Sequence, residues 1–374
     1  MSRNALSKFG EPESAKAASV KIENAEKPVG CQVAVIIPAY NSMRYLPEAL
    51  SSVLAQSYQD FEVIIVDDGS QDEIKDWYAQ LSDAVRQQVT LFSQPNQGVA
   101  YARNTGIAQT SSPYVAFLDS DDIWLPHKLA QQVQYLEANP TVSLVCSGAA
   151  VVDPQGQLMG RIYPGQLDPQ PWAQLVVSNV IPTPSVVLAR RECLEAVGGF
   201  DLDLISYVED KDLWIRIARS HKMASLPGIM IHKRRHATNL SKKWKSMELA
   251  SYQVLEKAFA NPPEEITQNQ LQRLKRKSYA KTNLGLAWKP VQTDAVDVKA
   301  AISYLLKVLS YQPTLIVTKE VLKLGCVILL LSLLGADRYR WLLTQAAGMR
   351  YRFSERERTV AISARAEESG SSSL

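Results

Sequence analysis

Short apolar runs alternate with amphipathic stretches through the first third of the chain. Four of the runs are rich in β-branched residues and predict buried strands at Gln32–Ile37, Glu62–Val66, Val89–Phe92 and Tyr114–Leu118. The stretch Ser42–Ser57, between the first two runs, has its apolar residues at helical spacing. Strands that alternate with helices and are buried on both faces predict an α/β fold with a mostly parallel, doubly wound sheet.

The pattern changes in the rest of the chain. It predicts a helix at Ile123–Asn139, strands at Val142–Val152 and Ser185–Ala189, and helices at Glu192–Val197 and from Glu209 onward. From Trp244 the sequence predicts a helical C-terminal extension without a catalytic motif. We therefore expect a disordered tail at 1–30, the α/β domain at 31–243, a helical region at 244–358 and a second disordered tail at 359–374.

Conspicuous polar residues cluster at the carboxyl ends of the four predicted strands. They are Tyr40 and Asn41, Asp67 and Asp68, Arg103, and Asp119 and Asp121. In doubly wound sheets, ligands bind beyond the carboxyl ends of the strands. This arrangement predicts a nucleotide-type ligand whose binding is assisted by a metal ion.

The segment after the fourth strand carries three carboxylates, Asp119, Asp121 and Asp122. Carboxylates this close repel one another unless a positive group lies among them, and hard oxygen ligands suit Mg²⁺ or Mn²⁺. The alternative is an Asp-rich turn in which Asp122 caps the predicted helix Ile123–Asn139.

The composition narrows the classes of function. The chain has 374 residues and a net charge of +3, which does not indicate a nucleic-acid-binding protein. The four cysteines are scattered without metal-ligand spacing, so we expect reduced thiols and a cytoplasmic location. Neither GxGxxG nor GxxxxGK(S/T) is present, which argues against a dinucleotide-binding protein and a P-loop enzyme.

Seven segments, taken in order, resemble motifs of the family 2 glycosyltransferases with a GT-A fold. They are IIPAYN (Ile36–Asn41), VDDGS (Val66–Ser70), NQGVAYARNTGI (Asn96–Ile107), FLDSDD (Phe117–Asp122), VGGFD (Val197–Asp201), ED (Glu209-Asp210) and RRHATNLS (Arg234–Ser241). Each motif is weak by itself, but seven in this order across one domain are specific. The resemblance covers roughly Gln32 to Ser241.

The resemblance implies a nucleotide-diphospho-sugar donor, with UDP as the first carrier to expect. It implies that Pro38, Ala39 and Tyr40 lie against the base and ribose. It also implies that Asp68 accepts a hydrogen bond from the base and that Arg103 contacts the base or a phosphate. The rest of the implied donor-binding set is Asn41, Asp119, Ser120 and Gly199.

The resemblance also implies a divalent cation, Mn²⁺ or Mg²⁺, and an inverting displacement. Asp121 is expected to ligate the metal, with Asp119 directed to the ribose or the metal. His236 is either an additional ligand for metal or diphosphate or a polar loop residue. A general base must accept the proton of the acceptor hydroxyl, and Asp210 is the first candidate, with Glu209 the second.

The expected acceptor is a saccharide or a lipid-linked saccharide, as in polysaccharide biosynthesis. Two alternatives stay open: a nucleotidyltransferase of related fold, and a catalytically inactive nucleotide-sugar-binding protein. The most apolar run, Leu324–Leu334, is shorter than the roughly 20 residues that span a bilayer. It predicts either a buried helix or an interfacial helix that makes a peripheral contact with the cytoplasmic face of a membrane.

Overall fold

The computed structural model describes residues 31–204, 208–236, 244–293, 296–342 and 345. Both predicted disordered tails, 1–30 and 359–374, lie outside the described residues. The chain divides into two compact units, one ending at Thr282 and the other beginning at Asn283. This division does not follow the boundary predicted after residue 243, because helices beyond that residue pack into the core of the first unit.

A mixed sheet, with nine strands among the described residues, forms the centre of the first unit. The strands are β1 (Val33–Ala39), β2 (Phe61–Asp67), β3 (Val89–Ser93), β4 (Tyr114–Phe117), β5 (Ile123–Trp124), β6 (Val142–Val152), β7 (Leu158–Tyr163), β8 (Leu188–Arg190) and β9 (Lys222–Arg234). Their spatial order is β3-β2-β1-β4-β8-β6-β9-β5, and β7 pairs with β6.

Helices flank the sheet and continue beyond it in sequence. They are α1 (Leu46–Leu54), α2 (Ile74–Ala79), α3 (Asp83–Gln88), α4 (Val99–Ala108), α5 (Lys128–Ala138), α6 (Pro171–Val177), α7 (Arg191–Ala196), α8 (Glu209–Ser220), α9 (Trp244–Ala260), α10 (Gln268–Trp288) and α11 (Val298–Tyr311). Short 3₁₀ helices occupy Pro184–Val186 and Pro313–Val317. Residues 319–342 are helical.

The first four predicted strands are confirmed, each within two residues of its predicted bounds. They pair in parallel in the order β3-β2-β1-β4, which brings their carboxyl ends to one edge of the sheet. Every residue of β1 is buried because β2 and β4 flank it and α4 packs against it. The predicted α/β fold is thus confirmed, with a sheet that turns mixed where β8 runs antiparallel to both β4 and β6.

Two predictions of local structure are wrong. The helix predicted at Ile123–Asn139 begins only at Lys128, because the first two of its residues form β5. Asp122 is therefore not a helix cap; the N-cap position of α5 belongs to His127. The strand predicted at Ser185–Ala189 is divided between a 3₁₀ helix and β8.

The long strand β9 was not predicted, and it positions part of the site. It pairs in parallel with β6, and its end pairs antiparallel with β5, placing Ile123 opposite His232. Because β5 directly follows the acidic segment after β4, this pairing brings that segment next to the residues that end β9.

The helices beyond residue 243 contribute to both units. Ala250, Val254 and Phe259 of α9 are buried in the core of the first unit. In the second unit, α11 buries Ala301, Tyr304 and Val308 on one face. None of the helices in the described part of the chain has the length and apolar character that crossing a bilayer requires.

The contact of α4 with β1 can be tested at Gly106. A Cβ at this position would clash with the fully buried Ile36 side chain. We expect Gly106→Ala to lower the free energy of unfolding by about 1–3 kcal/mol, as overpacking does in other cores. Chemical denaturation followed by circular dichroism measures the change.

Gly285 provides the matched control, since it lies in α10 with nothing within 4 Å of its Cβ position. Gly285→Ala should raise stability by about 0.5–1 kcal/mol because alanine is the better helix former. If Gly106→Ala were as stable as the unaltered protein, the close packing of α4 on β1 would be refuted.

Candidate active site

Arg103 connects acidic residues from two distant parts of the chain. It lies on α4 with only 3% of its surface exposed. Its guanidinium donates to Asp119 Oδ1 at 2.7 Å and to Glu209 Oε1 at 2.8 Å. Burial raises the pKa of Asp119, but the Arg103 guanidinium, together with Lys233 and the Thr183 hydroxyl, outweighs burial and holds that pKa below its usual range. The two ion pairs fix the segment after β4 against the start of α8.

Two hydroxyl groups before β8 complete the environment of these acids. Thr183 Oγ1 lies 2.8 Å from Asp119 Oδ2 and 3.1 Å from Asp122 Oδ2. Ser185 Oγ donates to Asp122 Oδ2 at 2.7 Å. Burial, with the charges of Asp121 and Asp119, raises the pKa of Asp122 to about 8. A protonated Asp122 can donate to Thr183, whose single hydroxyl proton is then free for Asp119.

Asp121 lies beside His236 because β5 pairs with the end of β9. His236 Nε2 is 2.7 Å from Asp121 Oδ2, and the His236 ring stacks on Tyr45 with a centroid distance of 5.1 Å. Carboxylate oxygens suit Mg²⁺ and Mn²⁺, and imidazole is a common metal ligand. The contact brings two possible ligand atoms together, and the predicted metal-ligand role of His236 stays a prediction.

The protein supplies only part of a coordination sphere at this point. Within the described ranges, no group of three or more His, Cys, Asp or Glu side chains forms a complete metal site. Magnesium-type ions usually take one or two carboxylates and fill their remaining positions with water and substrate phosphates. Both Asp119 oxygens accept a hydrogen bond, one from Arg103 and the other from Thr183.

Asp210 follows Glu209 in the first turn of α8. Its Oδ1 accepts a hydrogen bond from the Lys211 backbone N–H at 2.7 Å. Burial and then the Glu209 carboxylate raise the pKa of Asp210 to about 7, while Arg103 opposes the rise. A carboxyl group that titrates near neutral pH is suited to accept a proton during catalysis.

Asp68 is buried and organises the loop that leads into α4. Its carboxylate accepts hydrogen bonds from Gln94 Nε2, from Gln97 N and from Gly98 N, at 2.7 to 2.9 Å. A carboxylate offers about four acceptor positions. The structure thus gives Asp68 a role in shaping the loop and leaves an acceptor position for one further donor.

The IIPAYN motif reaches the edge of the sheet at the end of β1. Pro38 and Ala39 are buried within the strand, whereas the Tyr40 side chain is 51% exposed beyond it. Asn41 adopts a φ of 48°, and its backbone N–H donates to Ser70 Oγ at 3.0 Å. Asn41 thereby ties the loop after β1 to the loop after β2, and Tyr40 is the accessible aromatic ring of the motif.

The glycine pair before α8 is packed against α4. Gly199 has a φ of 67°, and a Cβ there would lie 2.7 Å from Asn104 Oδ1. The Asn104 side chain bonds both the N–H and the C=O of Phe200. This packing holds the segment before α8 beside Arg103, and the predicted donor contact of Gly199 stays a prediction. Ser120 is partly buried between two acidic neighbours.

The sequence analysis did not identify three residues of the site, Thr183, Ser185 and Lys233. Lys233 donates to the Pro182 carbonyl at 2.5 Å. Its charge adds to the lowering of the Asp119 pKa and opposes the rise in the pKa of Asp122 and of Asp210. The Pro-Thr-Pro-Ser sequence marks an irregular segment, but no local pattern shows which acids its hydroxyls meet.

The ion pairs of Arg103 can be tested by removing the guanidinium. Arg103→Met removes the guanidinium from the buried Glu209 carboxylate. Breaking a buried pair in this way costs about 3–5 kcal/mol, so we expect the free energy of unfolding to fall by that amount. Arg86→Met is the control because Asp83, its partner, is exposed, and its loss should cost under about 1 kcal/mol. Equal effects of the two changes would contradict the structural role of Arg103.

Known proteins resemble this chain in sequence. Residues 34–198 match the family model described as Glycosyl transferase family 2. An uncharacterized glycosyltransferase of Nostoc sp. is 42% identical over 114 residues, which cover 30% of this chain and 35% of that protein. An uncharacterized glycosyltransferase of Rickettsia conorii is 31% identical over 195 residues, 52% of this chain and 31% of that protein. The chain thus spans about a third of the length of these relatives.

Solved structures resemble it in fold. Staphylococcus aureus TarS 1–349 in complex with UDP superposes with a TM-score of 0.54 at 18% identity, covering 83% of this chain and 89% of that one. The mannosyltransferase PcManGT from Pyrobaculum calidifontis, in complex with GDP-Man and Mn²⁺, gives a TM-score of 0.52 at 19% identity, covering 88% and 92%. Residues 34–198 thus match a glycosyl transferase family 2 domain, and the chain has a GT-A fold.

Proposed function

We propose that the chain is an inverting, metal-assisted glycosyltransferase that moves a sugar from a nucleotide-diphospho-sugar to a hydroxyl acceptor. The observation that carries this proposal is the convergence of carboxylates from the segment after β4 and from the start of α8 on one buried arginine. A displacement of this kind needs a charge-neutralising group at the leaving diphosphate and a base at the attacking hydroxyl. The carboxylates after β4 are suited to the first task, through a bound metal ion, and those at the start of α8 are suited to the second.

The donor we propose first is a UDP-sugar. TarS was solved with UDP, and PcManGT with GDP-Man and Mn²⁺, which supports a nucleotide-linked donor. Tyr40 offers an exposed ring on which a base can stack, and Asp68 retains an acceptor position for a base N–H. Within the described residues the buried Arg103 Nε has no hydrogen-bond partner, so Arg103 keeps one unused donor.

We propose that Asp121 and His236 hold the divalent cation, Mn²⁺ or Mg²⁺, with Asp119 near the ribose or the metal. Support comes from the 2.7 Å contact between the Asp121 carboxylate and the His236 imidazole. When bound, the cation neutralises the negative charge that develops on the departing diphosphate.

Asp210 is the proposed general base, with Glu209 as the second choice. Glu209 is paired with the Arg103 guanidinium, whereas Asp210 forms no such ion pair with any residue in the described ranges. As the acceptor oxygen attacks the anomeric carbon, its proton passes to Asp210 and the bond to the diphosphate oxygen breaks. A single displacement of this kind inverts the anomeric configuration.

The proposed acceptor is a saccharide or a lipid-linked saccharide, as in polysaccharide biosynthesis, and the proposed location is the cytoplasm or the cytoplasmic face of a membrane. All four cysteines of the chain lie in described residues and are free thiols, which suits a reducing compartment.

The proposal is tested by release of nucleoside diphosphate. The full chain is incubated with Mn²⁺, methyl glycosides as acceptors and a panel of UDP-, GDP- and dTDP-sugars. Asp210→Asn should lower the rate by about 10²–10⁴-fold, the usual contribution of a general base, while nucleotide binding measured by calorimetry persists. Asp76→Asn, a change at an exposed acid of α2, should leave the rate unaltered.

Other outcomes of the same assay would support the alternatives. Pyrophosphate released from a nucleoside triphosphate and a sugar phosphate would identify a nucleotidyltransferase. Nucleotide-sugar binding without turnover of any donor would identify an inactive binding protein. Undiminished activity of Asp210→Asn would remove Asp210 as the base.

The pH dependence follows from the pKa of Asp210, which burial raises to about 7. Asp210 accepts a proton only when ionised, so kcat/KM should fall about tenfold per pH unit below about pH 7 and level off above it. The residual kcat/KM of Asp210→Asn should not show this fall at low pH. A profile that stays flat down to pH 5 in the unaltered enzyme would contradict the assignment.

A further inference from the structure

The helix formed by residues 319–342 has two apolar faces. One face is buried within the second unit and consists of Val321, Leu324, Ile328 and Leu331. These positions are spaced by three or four residues, as expected for one side of a helix. The buried face agrees with one of the two predictions for the apolar run Leu324–Leu334, a buried helix. It contains only some of the apolar residues of that run.

The second face is exposed. Leu322, Leu329, Leu330 and Leu333 are 40–71% exposed, and Cys326 between them is exposed as well. At 3.6 residues per turn these five positions lie within a sector of about 100° and extend for about 16 Å along the helix. We call these five residues the apolar stripe. It lies on the side of the helix opposite to the buried face.

Exposed apolar side chains are concentrated in this part of the protein. Of the seventeen large apolar residues exposed in the described ranges, eleven belong to the second unit. Single exposed leucines are ordinary, but a contiguous apolar row on a soluble surface marks a contact with a membrane or with another protein.

The chemistry of the stripe favours lipid over a second protein. It is aliphatic, whereas protein interfaces concentrate their binding energy in Trp, Tyr and Arg and make little use of Leu. Lys319 and Lys323, one turn apart, border the end of the stripe near Leu322. At the other end Arg340 is paired with Asp337, so the charge beside the stripe is positive. Leucines with lysines at their border suit a helix that lies at the surface of an anionic bilayer.

We propose that the apolar stripe is a membrane-contacting surface that docks the chain onto anionic lipid. The leucines enter the boundary between headgroups and acyl chains, while Lys319 and Lys323 meet the lipid phosphates. The opposite face of the helix stays packed in the second unit, so binding needs no unfolding of the helix. This proposal does not depend on the sugar-transfer reaction.

Vesicle co-sedimentation of the full chain tests the proposal. We expect binding to vesicles of 70% phosphatidylcholine and 30% phosphatidylglycerol, and weaker binding to phosphatidylcholine alone. Replacing Leu329, Leu330 and Leu333 together by Gln should weaken binding to the anionic vesicles more than tenfold. The control replaces Leu158, Met159 and Ile162 on β7, which are similarly exposed, in the same way. This control should bind the anionic vesicles as well as the unaltered chain does. Lys319→Gln with Lys323→Gln should abolish the preference for anionic lipid.

Cys326 allows a second test that does not require the leucines to be changed. Cys146 and Cys193 are buried, so an environment-sensitive fluorophore attached in a Cys31→Ser background labels Cys326. Its emission should shift to the blue when anionic vesicles are added. The proposal is overturned if there is no shift, if the β7 and stripe variants lose binding equally, or if the stripe variants only convert a dimer to a monomer in sedimentation velocity runs.

Discussion

The site depends on one buried arginine side chain, which lies between two acids that are far apart in sequence. Arg103 on α4 meets Asp119 and Glu209, which are 16 and 106 residues away. Moving a guanidinium out of water costs free energy, so its buried position is stable only while both carboxylates stay in place. The same condition applies to the acids, because each would be a buried charge without the arginine. The ion pairs therefore join the segment after β4 to the start of α8, and every proposed role of Asp210 depends on that junction.

A second constraint comes from the sheet. The short β5 pairs with the end of β9. This pairing places Asp121 of the acidic segment against His236. The site is thus built by two long-range contacts around one short segment of acids. Burial raises the pKa of Asp122 first, and the neighbouring Asp121 and Asp119 carboxylates raise it further, since three neighbouring carboxyl groups cannot all be ionised at low cost.

The sequence predicts the parallel half of the sheet well, because strands such as β1 and β2 are continuous β-branched runs buried on both faces. It fails at Ile123, where helical propensity suggested a helix but pairing with β9 imposes a strand. The strand β9 itself carries Pro227 and Gly228 and is buried mainly near its end, so its apolar pattern is weak. Element type at these points is decided by tertiary pairing rather than by local sequence.

For the site, the sequence identifies the acids but not their partners. The pattern of strand ends indicates Asp119 and Asp121, and the resemblance to the family motifs implies a role for Asp210. They suggest a ligand contact for Arg103, whereas its nitrogens are mostly engaged by the protein. The hydroxyls of Thr183 and Ser185 could not have been found, since nothing in their own segment distinguishes them from ordinary polar residues.

The central claim is that these acids and His236 form one site for a cation and a nucleoside diphosphate. A crystal structure of the chain with UDP and Mn²⁺, recorded at the manganese absorption edge, tests it most directly. The account predicts one anomalous peak within coordination distance of the Asp121 carboxylate and the His236 imidazole, with the UDP diphosphate on the same ion. A diphosphate bound with manganese at any other place in the molecule would contradict it.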